Sequence, residues 1–232
     1  MSNAKIQKSA SIGALTLSDE ELEKINLFSL VPLKADEIFP FKIAVCSNAQ
    51  DTDRDNEPFL LQAVKDLAKH IEGKTMILDH NPSAKNQIAR IYDTELITSD
   101  KKTEIGEPLT TLEVRCYMVR TEKNSDLIAE IKAGIKKEVS VGFSTSEMQC
   151  SICGKNFFTC AHHKGDIYDG KVCRAQIKDC VDAYEVSFVA VPCQVDAGTR
   201  KSASADTENP DEDELLAEAK ARIRIHEYFK EV

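Results

Sequence analysis

The sequence lacks any apolar run near the roughly 20 residues that a membrane-spanning helix needs, and it opens without a signal-peptide h-region. These absences predict a soluble, intracellular protein with no membrane partner. Positive charge is also short. A formal net charge of −9 argues against a nucleic-acid binder working by general electrostatics, because such proteins present a basic face to displace counterions. The run "KAGIKKE" is too short to supply that face. No internal repeat is visible, and no His-Glu-x-x-His spacing points to a metallopeptidase. What is present is a globular composition, 42% hydrophobic and 30% charged, in a chain of 232 residues that is long enough to bury a core. Eight cysteines without a secretion signal suggest metal ligation and reduced thiols rather than a disulfide framework.

Residues 1–37 read as a leader in which "LSDEELEKI" forms at most a short helix, capped by Ser18 with Glu21 three residues on. Strand character starts at "FPFKIAVCS". After the polar loop "DTDRDNEP", Pro58 suits the first turn of a helix over "FLLQAVKDLAKHIEG", which Gly73 closes. "KTMILDHNPS" is a buried strand running into a loop at Asp79 and His80, and "QIARIYDTELIT" and "LTTLEVRCYMV" are two long strands. A short helix over "NSDLIAEIKAG" delivers the chain to "KEVSVGFSTSE", and "DAYEVSFVAVP" is a further strand ended by proline. The expected fold is α+β, a strand-rich, barrel-like core with flanking helices over residues 38–198. Residues 199–232 read as an acidic linker followed by a helical tail, suited to removal or to docking on an assembly.

Three side chains carry candidate chemistry. In a strand, Ser140, Gly142 and Ser144 face one way and Val139, Val141 and Phe143 the other, so Ser140 lies opposite the core side, with a glycine two residues on where a substrate backbone can approach. By itself this fits a polar strand face as well as a nucleophile, and a serine needs a base to react. His80 is placed to be that base, at the end of an apolar strand where a loop exposes it. His70 falls within a helix and belongs to its surface. Glu185, an acid within the apolar "AYEVSFVAV", either meets solvent or orients an imidazole.

The stretch "CSICGKNFFTCAHHKG" holds a Cys-x-x-Cys with a following glycine, then a Cys and two histidines. A knuckle of this type lets backbone amides point at thiolate sulfurs, and four soft or borderline ligands in so short a loop favour a structural zinc in an insertion over residues 149–166. Cys150, Cys153 and Cys160 are three ligands. Ordinary Cys-x-x-His spacing makes His163 the fourth, and Cys173 can stand in for a histidine. Such a closed site would fold a loop with little apolar content of its own.

The order and wording of "DRDNEPF", "ILDHNPSAKNQIARI", "KEVSVGF" and "DAYEVSFVAVPCQVDAG", over roughly residues 40–198, resemble the phage prohead (capsid maturation) serine proteases, which are related in fold to the herpesvirus assembly proteases. The resemblance implies a serine endopeptidase that cuts scaffold precursor, capsid precursor or its own chain during viral head assembly. It makes Ser140 the nucleophile and His80 its base, with Glu185 orienting His80 and Asp79 as the competing choice. Relatives bearing a "C-x-H-x-K-G" pattern make His162 the fourth metal ligand. The implied partners are capsid and scaffold precursors, with self-association. The implied location is the assembling prohead in the host cytoplasm, or a bacterial cytoplasm for a prophage-encoded copy. Two rival expectations are a non-catalytic assembly protein of the same fold and a zinc-knuckle module that binds nucleic acid or protein.

Overall fold

The computed structural model of the chain describes residues 17–199, apart from 52 and 196. Residues 1–16 of the expected leader, and the expected linker and helical tail after Thr199, therefore lie outside the described residues. In chain order the elements are α1 (Asp19–Asn26), β1 (Ile38–Ser47), α2 (Leu61–Ile71), β2 (Thr75–Leu78), β3 (Ala89–Lys102), β4 (Pro108–Val119), α3 (Ser125–Lys132), β5 (Val139–Ser144), β6 (Met148–Cys150), β7 (Ile167–Tyr168), β8 (Lys171–Val172), β9 (Ala175–Ile177), β10 (Asp182–Phe188) and β11 (Gly198–Thr199). Among the described residues, no helix is long and apolar enough to cross a membrane.

Seven strands form one sheet in the order β11-β1-β4-β3-β2-β10-β5, in which only β2 and β10 run parallel. The fold is thus α+β with a strand-rich core. The sheet is not the closed barrel that the sequence suggested. Among the described residues its two edges meet at one bridge, Glu138 to Gly198. Gly198 is needed at that seam, where a Cβ would stand 2.6 Å from the Lys137 carbonyl oxygen.

Both faces of the sheet are covered. On one, Ala63, Val64, Leu67 and Ile71 of α2 pack with Met76, Val139, Val186 and Phe188. The helix starts two residues later than its apolar pattern suggested, because the Leu60 amide donates to the Ile177 carbonyl and the Pro58 carbonyl accepts from the Ile177 amide, tying this entry to β9. On the other face, Ile25 of α1 packs with Ile38, Tyr92 and Tyr117, so the residues before β1 are part of the packed body. Ser18 and Glu21 form the expected capping box. Glu21 also pairs with Arg115; burial works to raise its carboxyl, but the Ser18 amide and the Arg115 guanidinium hold it below its ordinary value.

The turn leaving β5 is held by Asp179. Its carboxylate accepts from the Thr145 hydroxyl at 2.7 Å, the Ser146 amide at 2.9 Å, and the Ser146 hydroxyl. Burial opposes ionisation here, but these donors prevail and pull the carboxyl down to about 2. The unfolded value is near 3.9, so this contribution to stability is complete above about pH 4 and is lost as the pH falls toward 2. Thermal melts of Asp179→Asn and the natural chain should therefore differ clearly at pH 5 and converge by about pH 2. A gap that stays constant over this range would contradict the assignment.

Candidate active site and metal centre

The parallel pairing of β2 with β10 brings His80 to Glu185 across 105 residues of sequence. Just after β2 the chain reverses in a turn in which Asp79 and His80 both have positive φ, +54° and +51°, and the Asn81 amide donates to the Leu78 carbonyl at 3.0 Å. Two left-handed central residues with this bond are the mark of a type I′ turn. The turn is pinned at two further points: the Asp79 amide donates to the Phe188 carbonyl at 3.1 Å, and the His80 amide donates to the Ser187 hydroxyl at 2.9 Å.

His80 Nδ1 lies 2.7 Å from Glu185 Oε1, while the Ser187 hydroxyl donates to Glu185 Oε2, also at 2.7 Å. Glu185 is 8% exposed and Ser187 fully buried, whereas the imidazole remains 43% exposed. A carboxylate this enclosed is satisfied by donors on both oxygens. The carboxylate on the imidazole is Glu185 and not Asp79.

Ser140 sits on the same face. In the antiparallel pairing of β5 with β10, Ser140 lies opposite Ser187 and Gly142 opposite Glu185, and residues opposed in this way project to one side. Among the described residues no hydrogen bond joins the Ser140 hydroxyl to His80. Gly142 meets a need that its position in the strand did not reveal. A Cβ there would lie 2.4 Å from Glu185 Oε1, so the missing side chain makes room for the carboxylate. Ser140 also borders a cleft between β5 and the loops around Asp53 and Gln194, with Phe59 and Phe143 in its wall.

The cysteine-rich loop forms a separate centre. Donor atoms of Cys150, Cys153, Cys160 and His162 all lie within 4.8 Å of one another. Tetrahedral ligation with Zn–S bonds near 2.3 Å places sulfurs about 3.8 Å apart, so the cluster is compact enough for one metal ion. His162 Nδ1 is buried without a hydrogen-bond partner, which suits a nitrogen that donates its lone pair to a metal. The knuckle is formed: Gly154, at φ +70°, donates its amide to the Cys150 carbonyl at 2.9 Å. Burial works to raise the Cys150 thiol, but the amides of Cys153 and Ile152 outweigh it and lower it. Cys173 lies behind Cys150, with 3.8 Å between sulfurs. Burial, followed by the neighbouring Cys150, pushes the Cys173 thiol up to about 11, which favours its protonated form. His163 is outside the four-donor group, and its amide donates to the Tyr168 hydroxyl.

No family model, curated protein or solved structure matches the chain. The first centre holds an imidazole whose Nδ1 is committed to a buried carboxylate, which leaves Nε2 as the basic nitrogen. The second holds three thiols and an imidazole ready to bind a thiophilic metal ion. Sequence reasoning missed Ser187, although a signal existed: in "EVS" the serine stands two residues from Glu185, hence on the same face of the strand. Of the remaining cysteines, Cys46, Cys116 and Cys180 are buried as small apolar residues, whereas Cys193 is exposed and donates to Asp55 Oδ2 at 3.1 Å.

Proposed function

We propose that the chain is a serine endopeptidase of the prohead-maturation type, cutting capsid and scaffold precursors and its own chain within an assembling viral head. The observation that supports this reading is the buried Glu185 carboxylate holding His80 on the sheet face that carries Ser140. In this mechanism His80 Nε2 takes the Ser140 proton as Oγ attacks the peptide carbonyl, and the imidazolium formed is stabilised by Glu185. The same proton then passes to the leaving amine. Ser187 fixes both partners, since its oxygen accepts from the His80 amide and its hydrogen goes to Glu185.

Zinc is the metal proposed for Cys150, Cys153, Cys160 and His162. Bound there it would crosslink a loop and supply no open position to a substrate. The proposed setting is the prohead in the host cytoplasm, or a bacterial cytoplasm for a prophage-encoded copy.

The test is reaction of the concentrated full chain with diisopropyl fluorophosphate, followed by peptide mass mapping. One adduct on Ser140, lost in His80→Ala, is expected. A chain that takes up no adduct at Ser140 would refute the assignment and leave the non-catalytic assembly protein as the better reading.

A further inference from the structure

One strand pairing and one set of backbone hydrogen bonds separate the metal-ligand cluster from the cleft beside Ser140. Cys150 is opposed to Ala175 in the pairing of β6 with β9. The Ala175 amide donates to the Asn56 carbonyl at 2.9 Å, and two residues on Ile177 exchanges bonds with the next segment: its amide donates to the Pro58 carbonyl and its carbonyl accepts from the Leu60 amide, both at 2.9 Å. Phe59 is thereby fixed between two bonded residues. Its ring packs against Phe143 of β5 with centroids 5.0 Å apart, on the strand face opposite to the Ser140 side chain, and Phe59, Phe143 and Ser140 all line the cleft at this edge of the sheet. Farther along the loop, Lys164 pairs with Glu57, but both side chains are more than one-third exposed, and such a pair contributes little. The backbone bonds are the stronger connection.

The segment Asn56–Leu60 is also held from its N-terminal side, where Asp53 accepts from the Asn56 and Glu57 amides and the Gln50 side chain donates to the Phe59 carbonyl. It precedes α2, and Asn56 takes a left-handed conformation at φ +55°. Its bonds to β9 depend on β9 being held, and among the described residues β9 pairs in the sheet sense with β6, a strand of three residues. A two-stranded ribbon this short is not stable without further support. Part of the support comes from the main core, in which Met148, Ala175 and Ile177 are buried, and the ligands on either side would add to it, because Cys150 ends β6 and the loop from Cys153 through His162 returns to β9 by way of Cys173, whose amide donates to Asp166 and whose carbonyl accepts from Gly165.

We infer that metal bound by Cys150, Cys153, Cys160 and His162 positions one wall of the cleft, through β9 and the segment Asn56–Leu60, so that the ion governs how substrate is received beside Ser140 without touching the reacting atoms. The link to substrate rests on the reading of Ser140 as a nucleophile; the mechanical coupling does not. The His80–Glu185 pair is carried by the turn after β2 and by β10 and shares none of these bonds, so it is outside the metal's reach. The cluster then acts as a positioning element for the cleft as well as a staple for its own loop.

Hydrogen exchange of the full chain, stripped with a chelator and then reloaded with zinc alone, tests this. Without zinc the Leu60, Ala175 and Ile177 amides should exchange at least about tenfold faster, with a smaller change in β5, while β3, β4 and the Asp79–His80 turn stay unchanged. Faster exchange confined to residues 148–173 would overturn the inference by making the metal a local staple. Loss of protection throughout β3 and β4 would also overturn it, by making the metal a requirement for the whole fold. Labelling of Ser140 by diisopropyl fluorophosphate in the reloaded chain separates the two claims: no labelling defeats the protease reading, while the exchange pattern still decides the coupling.

Discussion

Replacing Ser140 by alanine should stop cleavage of co-expressed capsid and scaffold precursors, a fall of about a million-fold in the chemical step if Ser140 is the nucleophile. Intact mass of every product checks it, and zinc content should be unchanged because the metal donors lie in another loop. The discriminating control is Ser187→Ala. Ser187 occupies the opposed position in the neighbouring strand and is the hydroxyl closest to the acid, so proximity alone would make it a rival nucleophile. Its burial and its two hydrogen bonds argue otherwise: the oxygen is fully enclosed, accepts from the His80 amide and donates to Glu185. Ser187→Ala should slow cleavage through misplacement of the imidazole, by about a hundredfold, and leave Ser140 reactive toward diisopropyl fluorophosphate. Processing that persists in Ser140→Ala would remove the serine from the chemistry altogether.

Gly142→Ala is expected to cost about a hundred- to ten-thousand-fold in processing, close to the effect of losing the acid of a catalytic triad, although the change adds one methyl group. The backbone at Gly142 does not require glycine, since its φ is not in the left-handed range, so the effect must come from the side chain. A Cβ 2.4 Å from Glu185 Oε1 cannot be accommodated without moving the carboxylate, and the atom displaced is the one that holds His80. A double-mutant cycle isolates the cause. In a Glu185→Ala background the obstruction is gone, and Gly142→Ala should add almost nothing to the loss. Additive losses would mean that Gly142 matters for another reason, such as the approach of substrate backbone.

The sequence made the local elements legible and left their meetings hidden. Alternation in "VSVGF" placed Ser140 on the face away from the core, and the Ser18–Glu21 spacing announced a capping box, because both are set by periods of two to four residues. The ligand spacing of the cysteine loop was legible for the same reason: all four donors fall within thirteen consecutive residues. The link between His80 and Glu185 depends on a parallel pairing formed between strands more than a hundred residues apart, which no short pattern encodes. The open sheet was hidden too. The two described residues of β11 have no periodicity to detect, and Gly198 among them makes the bridge between the edges. At Gly142 the sequence hid a further constraint, because the group that needs its space comes from another strand.

The Leu78–Asn81 turn carries one more consequence. Neither Asp79 nor His80 is glycine, yet both stand in the left-handed region, where an ordinary side chain costs on the order of 1 kcal/mol. The imidazole is thus aimed by a loaded spring, latched by Phe188, Ser187 and Glu185, all contributed by β10. One strand therefore serves as both the latch and the acid, and any slip in its register against β2 would release the turn and separate the imidazole from the carboxylate in a single motion.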